Sequence, residues 1–225
     1  MKTTFYLFLI FISAISFGQN NYLTPEQVSE FYTSEKKASL GISYPIFRVY
    51  EYSDSEGKHH LVLAEQVNNK ASKEPSAVQG THFLIKDGNA TKVWSVSDAK
   101  MNDNGVSAEV GLWFWTKYFD IKDIDGDGLV DPILIYGSKG MNGYDDGRVN
   151  IIVFHKNKKY SIHHQNSTMD GERNTKVDAA YYNLPSSIQS HVKKVMDQLT
   201  EKNHAIFPAG WEDAMKSKKT AFDEN

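Results

Sequence analysis

The sequence predicts an α+β fold: about eight hairpin-connected, mainly antiparallel strands, as a curved sheet packed by a C-terminal helix or as a small sandwich, with a short helix at the N-terminal end. Three observations predict it. Apolar runs with period two recur between turn residues, the only long run of helical spacing lies after residue 185, and neither dinucleotide nor nucleotide fingerprints occur. At 225 residues with 40% apolar content, the chain is long enough for one sizeable core and short for two.

Residues 1–18 carry Lys2, the apolar stretch Phe5 to Ile15, and small residues Ser16 and Gly18. This is the pattern of a cleaved secretory signal, and the stretch is about half of the ~20 residues that a bilayer span requires. The expected organisation is therefore a signal peptide over 1–18 and a single β-rich domain over 19–225. Location in the periplasm, at the cell surface or in the medium follows, with no membrane span after signal removal. The chain has no Cys, so neither disulfides nor a thiolate metal site are available to stabilise it. Its formal charge is -3, which gives no basic excess for phosphate contacts and argues against nucleic acid. Without a Walker loop or a Gly-x-Gly-x-x-Gly turn, nucleotide binding is also disfavoured.

Thr24-Pro25-Glu26-Gln27 combines a cap residue, proline at the first helical position and Gln three residues on, which predicts a helix to about Tyr32. Residues 44–52 and 59–66 read as a hairpin around "SDSEGK". Residues 67–80 are polar and unpatterned, hence an exposed loop. "HFLIKDGNATKVWSV" forms a second hairpin with Asp87-Gly88 as its turn. The segments "EVGLWFWTKYFDIKD" and "PILIYG" flank an acidic loop, and "RVNIIVFHKNKKYSIHHQN" gives two more strands about Asn157-Lys158. Ile188, Val192, Val195, Met196 and Leu199 share one face of the predicted C-terminal helix, and residues 211–218 form a last short one.

The acidic loop "DIDGDGLVD" carries the most specific chemistry. Asp123, Asp125 and Asp127 alternate, so their carboxylates can turn towards one centre, and Gly128 occupies the position of the sharp turn. Leu129 offers a backbone carbonyl and Asp131 a further carboxylate. Calcium is the expected cofactor. Leu134 stands where an EF-hand needs Glu, and the flanks are strand-like, so this is not an EF-hand. The spacing resembles the calcium loops of integrin-type FG-GAP repeats and of bacterial VCBS repeats, over about residues 119–137 only, and implies ligand roles for Asp123, Asp125, Asp127, Leu129 and Asp131.

Two further segments are candidate ligand-binding sites. "GSKGMNGYDDGR" supplies Asn142, Tyr144, Asp145, Asp146 and Arg148 on a glycine-rich loop. "IHHQNSTMDGERN" supplies His164, Asp170, Glu172 and Arg173. Adjacent His163 and His164 on a strand face opposite ways and cannot chelate one metal as a pair. Trp113 and Trp115 share a strand face with Phe119, while Phe114 and Tyr118 face the other way.

The order "YFDIKDIDGDGLVDPILIYG", "NGYDDGRVNIIV", "HHQNSTMDGERN", "HAIFPAGW" is similar to a family of small exported flavobacterial proteins labelled as surface polysaccharide biosynthesis proteins. The resemblance implies a cell-envelope protein whose partner is a surface glycan or an envelope protein, and it supplies no catalytic residues. A non-enzymatic role is the leading expectation. The alternatives are a glycan hydrolase using a carboxylate/His site near residues 164–173, and a protein-binding envelope module.

Overall fold

The computed structural model describes residues 21–67, 74–101 and 108–224. The expected signal segment lies outside the described residues, as does the middle of the loop expected over 67–80. The chain builds two antiparallel sheets, each a simple meander. The first contains β1 (Asn21–Tyr22), β2 (Ile46–Asp54), β3 (Gly57–Gln66), β4 (Ala77–Lys86) and β5 (Asn89–Ala99), in that order. The second runs β11 (Ala221–Asp223), β10 (Asn174–Val177), β9 (Lys158–Gln165), β8 (Arg148–His155), β7 (Ile133–Lys139), β6 (Gly111–Phe114).

Side-chain alternation divides the interior into three layers of packing. On β7, Leu134 and Tyr136 enter the core between the sheets, whereas Ile133 and Ile135 face outward beneath a helix. On β8, Ile152 and Phe154 point inward and Val149, Ile151 and Val153 outward. The first sheet answers with Tyr50, Leu61, Leu63, Trp94 and Val96. Trp94 lies flat on Phe154 across the gap, with ring centroids 3.5 Å apart.

Helices cover both outer faces, so the order of layers is helix, sheet, sheet, helix. Helices α1 (Pro25–Phe31) and α2 (Ser34–Leu40) bring Val28, Phe31 and Leu40 to the cluster of Val49, Val62 and Phe83 on the first sheet. Helix α3 (Ser186–Glu201) buries the five residues expected of it against the second sheet, and α4 (Trp211–Lys216) adds Ala214. Thr24 and Gln27 form the expected capping box at the start of α1.

Several expectations need correction. The strands number eleven among the described residues because β1, β10 and β11 are too short to show a period. Helix α2, capped by Thr33 and closed by Gly41 at φ 72°, adds to the expected elements. Residues 77–80 belong to β4 and not to a loop. The β8–β9 turn centres on Lys156 and Asn157, both at positive φ, one residue earlier than expected. The strand ends at Phe114 and a 3-10 turn follows at Thr116–Tyr118, so Tyr118 joins the cluster of Trp115 and does not face the other way.

Candidate metal centre and the two ends of β7

The acidic loop spans the gap between the 3-10 turn and β7. Its base is closed by paired backbone hydrogen bonds between Asp120 and Ile133 and by Asp131 N–H to the Lys122 carbonyl at 2.9 Å. Gly126 and Gly128, at φ 81° and 89°, reverse the chain in a region that favours glycine. Their N–H groups donate to Asp123 at 2.7 and 2.8 Å. Asp131 is wholly buried, receiving Ile124 N–H on one oxygen and His155 Nδ1 on the other at 3.0 and 2.8 Å. Because a carboxylate only accepts, His155 carries its proton on Nδ1. Burial raises the Asp131 pKa, Asp125 adds repulsion in the same direction, and the hydrogen bonds to His155 and Ile124 oppose both.

One ligand atom from each of Asp123, Asp125 and Asp131 lies within 4.8 Å of the others. A cation with bonds of ~2.4 Å can touch oxygens about that far apart, so the spacing suits calcium. Asp127 falls in a second group with Asp125 and His155, and its carboxylate is turned to Lys156 at 3.1 Å. A nitrogen ligand would tilt that second group towards a transition metal. With Nδ1 donating to Asp131, the ring could ligate only through Nε2. The group of Asp123, Asp125 and Asp131 supplies the all-oxygen set that calcium prefers.

The loop also reaches the opposite sheet. Val130 donates its N–H to Asp54 Oδ2 at 3.2 Å, and Ser55 donates to the Gly128 carbonyl at 3.0 Å, both at the β2–β3 turn. Asp54 Oδ1 in turn accepts from His59 Nε2 at 2.8 Å, and His59 Nδ1 meets His82 Nε2 at 2.9 Å. His82 Nε2 also meets the Tyr52 hydroxyl at 2.9 Å, and His82 Nδ1 is buried without a partner. Nothing in the local sequence signals this inter-sheet clasp, since its partners are about 75 residues apart in the chain.

The glycine-rich loop is not beside the acidic loop, as its position in the sequence suggests, but at the other end of β7. Seven residues of strand separate them by roughly 23 Å. Its candidate residues divide into structural and surface roles. Asp146 accepts Asn142 N–H at 2.8 Å and closes the loop on itself, while Asn142 and Asp145 are exposed. Arg148 is committed to Glu109 and Asp98, each at 2.6 Å, and ties β8 to the end of β5. Tyr144 alone joins a larger group: its ring lies 6.2 Å from Trp113, 5.5 Å from Trp115 and 4.3 Å from His204.

The second candidate segment is likewise structural. His164 is buried against Phe207, with Nδ1 on Thr175 and Nε2 on Asn166, and burial holds its pKa down at about 4. Glu172 accepts from Ser167, Asp170 pairs with Arg173 at the surface, and Arg173 also holds Glu224 at 3.1 Å. His163 faces away from His164, as strand geometry requires. Both nitrogens of His164 are thus occupied, and these residues form a strap over β10 and β11, not an acid–base pair.

The sequence reading also missed His60, which is buried between Tyr32 and Glu51 at 2.9 and 3.1 Å beneath a groove of about 730 Å³ alongside α1. Its ring nitrogens are both engaged. Among the described residues no helix is long and apolar enough to cross a membrane. No protein-family model matches the chain, and no curated protein or solved structure matches it at a significant level.

Proposed function

We propose that this is an exported, non-enzymatic cell-envelope protein, stiffened by calcium and associated with the making or display of surface polysaccharide. The calcium part rests on one observation: the fully buried Asp131 shares a 4.8 Å circle with Asp123 and Asp125. Several like charges at that spacing repel, and a divalent cation compensates them while keeping hard oxygen ligands. Asp127 and the Leu129 carbonyl complete the set once Asp127 leaves Lys156. His155 holds Asp131 in position through Nδ1.

The ion's task is then mechanical. It fixes a loop that grips Asp54 and Ser55 of the other sheet, so occupancy stiffens the sandwich at that end. Export and the link to polysaccharide are supported by the N-terminal pattern and by the order of motifs along the chain. The hydrolase alternative loses its support with His164 saturated by Thr175 and Asn166.

Calorimetric titration of the mature protein with calcium tests the reading. The expected result is a single site with Kd of ~10⁻⁴ to 10⁻³ M, as in extracellular modules. Absence of heat with calcium, alongside tight binding of zinc, would overturn it.

A further inference from the structure

At the far end of β7, four chain segments bring Trp113, Trp115, Tyr118, Tyr144 and His204 together. Trp115 is 4% exposed, and its indole N–H is buried in this cluster with no hydrogen-bond partner. Trp113 and Tyr144 are half-buried and keep part of their surface in solvent. His204 shares a hydrogen bond with Tyr118 Oη through Nδ1 at 2.9 Å and lies 3.4 Å from the Lys117 ammonium through Nε2. The Lys139 ammonium sits over both Trp113 and Tyr144, 5.3 and 4.9 Å from their centroids.

Two cations stand at this place. Lys117 and Lys139, like most lysines among the described residues, take part in no ion pair, and Lys139 lies over the two rings instead. Both lysines help burial to depress the His204 pKa, so their fields converge on that ring. Glu74 is the acid whose field reaches Tyr144, from the opposite sign. An aromatic surface that carries Lys139 and Lys117, with Glu74 as the acid nearby, suits a ligand that is anionic and has apolar faces.

We propose that this cluster binds an acidic glycan, with sugar faces stacked on Trp113 and Tyr144 and a uronate carboxylate held by Lys139 and Lys117. The inference rests on the polysaccharide reading above and gives it a site and a ligand class. Aromatic faces suit the C–H surfaces of pyranose rings. The competing account is that Lys139 merely lays its aliphatic stem across the rings and solvates its ammonium.

Binding of the calcium-saturated mature protein to hyaluronan, a uronic-acid polymer, and to dextran, a neutral one, separates the accounts. Hyaluronan should bind, weaken with added salt, and lose about tenfold in affinity in Trp113→Ala and several-fold in Lys139→Gln. Lys117→Gln, at an exposed residue, provides a second charge variant with little risk to folding. Hyaluronan binding unchanged in all three variants would overturn the site. Dextran binding that falls in Trp113→Ala, without hyaluronan binding, would overturn the acidic class and leave the polysaccharide reading standing. No binding of either polymer would overturn both.

Discussion

The backbone N–H of Val130 lies 3.2 Å from Oδ2 of Asp54, which joins the acidic loop of one sheet to a turn of the other. That bond gives the loop a mechanical role beyond its own ordering. Asp54 also accepts from His59 and from Glu56 N–H, each at 2.8 Å, so a single carboxylate holds the loop, the turn and a buried imidazole.

Asp54→Ala should therefore cost about 1–3 kcal/mol, because it leaves His59 buried with an unpartnered ring N–H. It should also shrink the stabilisation that calcium provides. Urea unfolding of Asp54→Ala, Asp125→Ala and the double variant, with calcium and with chelator, measures the coupling. In calcium the two changes should be non-additive; simple additivity would separate the clasp from the metal.

Acid should destabilise the fold over a defined window. His82 and His164 are buried neutral, their pKa values pushed down to about 3 and about 4 by desolvation. The unfolded chain protonates both near 6.5, so their stabilising contribution is complete above about pH 6.5 and is lost as pH falls towards 4. Each costs about 1.4 kcal/mol per pH unit within that window. Asp131 works in the opposite sense, since burial raises its pKa. Denaturation followed from pH 7 to pH 4.5 should show the slope, and His164→Asn should reduce it. A flat profile in the parent protein would contradict the burial of both rings.

Gly137 lies where β7 passes under the aromatic cluster. A Cβ there would stand 2.6 Å from the Arg148 carbonyl oxygen and run into the Trp115 ring. Gly137→Ala should cost about 1–3 kcal/mol by overpacking and change the near-ultraviolet dichroism of the tryptophans. An unchanged spectrum and stability would mean that Trp115 is not packed on β7 as described.

Much of this frame is legible from the chain alone, because its signals are local. Capping by Thr24, the Asp87-Gly88 turn and the helical face from Ile188 to Leu199 each depend on a few neighbouring residues. The spacing from Asp123 to Asp131 likewise predicts a loop whose carboxylates converge. What the chain does not reveal is long-range. Strands β1, β10 and β11 take their identity from a partner strand, and His204 reaches Tyr144 only after α3 has packed on the second sheet. The nearness of the acidic and glycine-rich loops in sequence was misleading for the same reason: a fully extended strand puts its two ends as far apart as possible.

Thermal unfolding of the mature protein and of Asp125→Ala, each with calcium and with chelator, tests the central claim most directly. At calcium about ten times Kd, linkage predicts about 1.4 kcal/mol of stabilisation, or roughly 3–6 °C in Tm for a domain of this size. The account predicts that rise in the parent protein and its loss in Asp125→Ala. Equal melting temperatures for the parent protein in calcium and in chelator would contradict it.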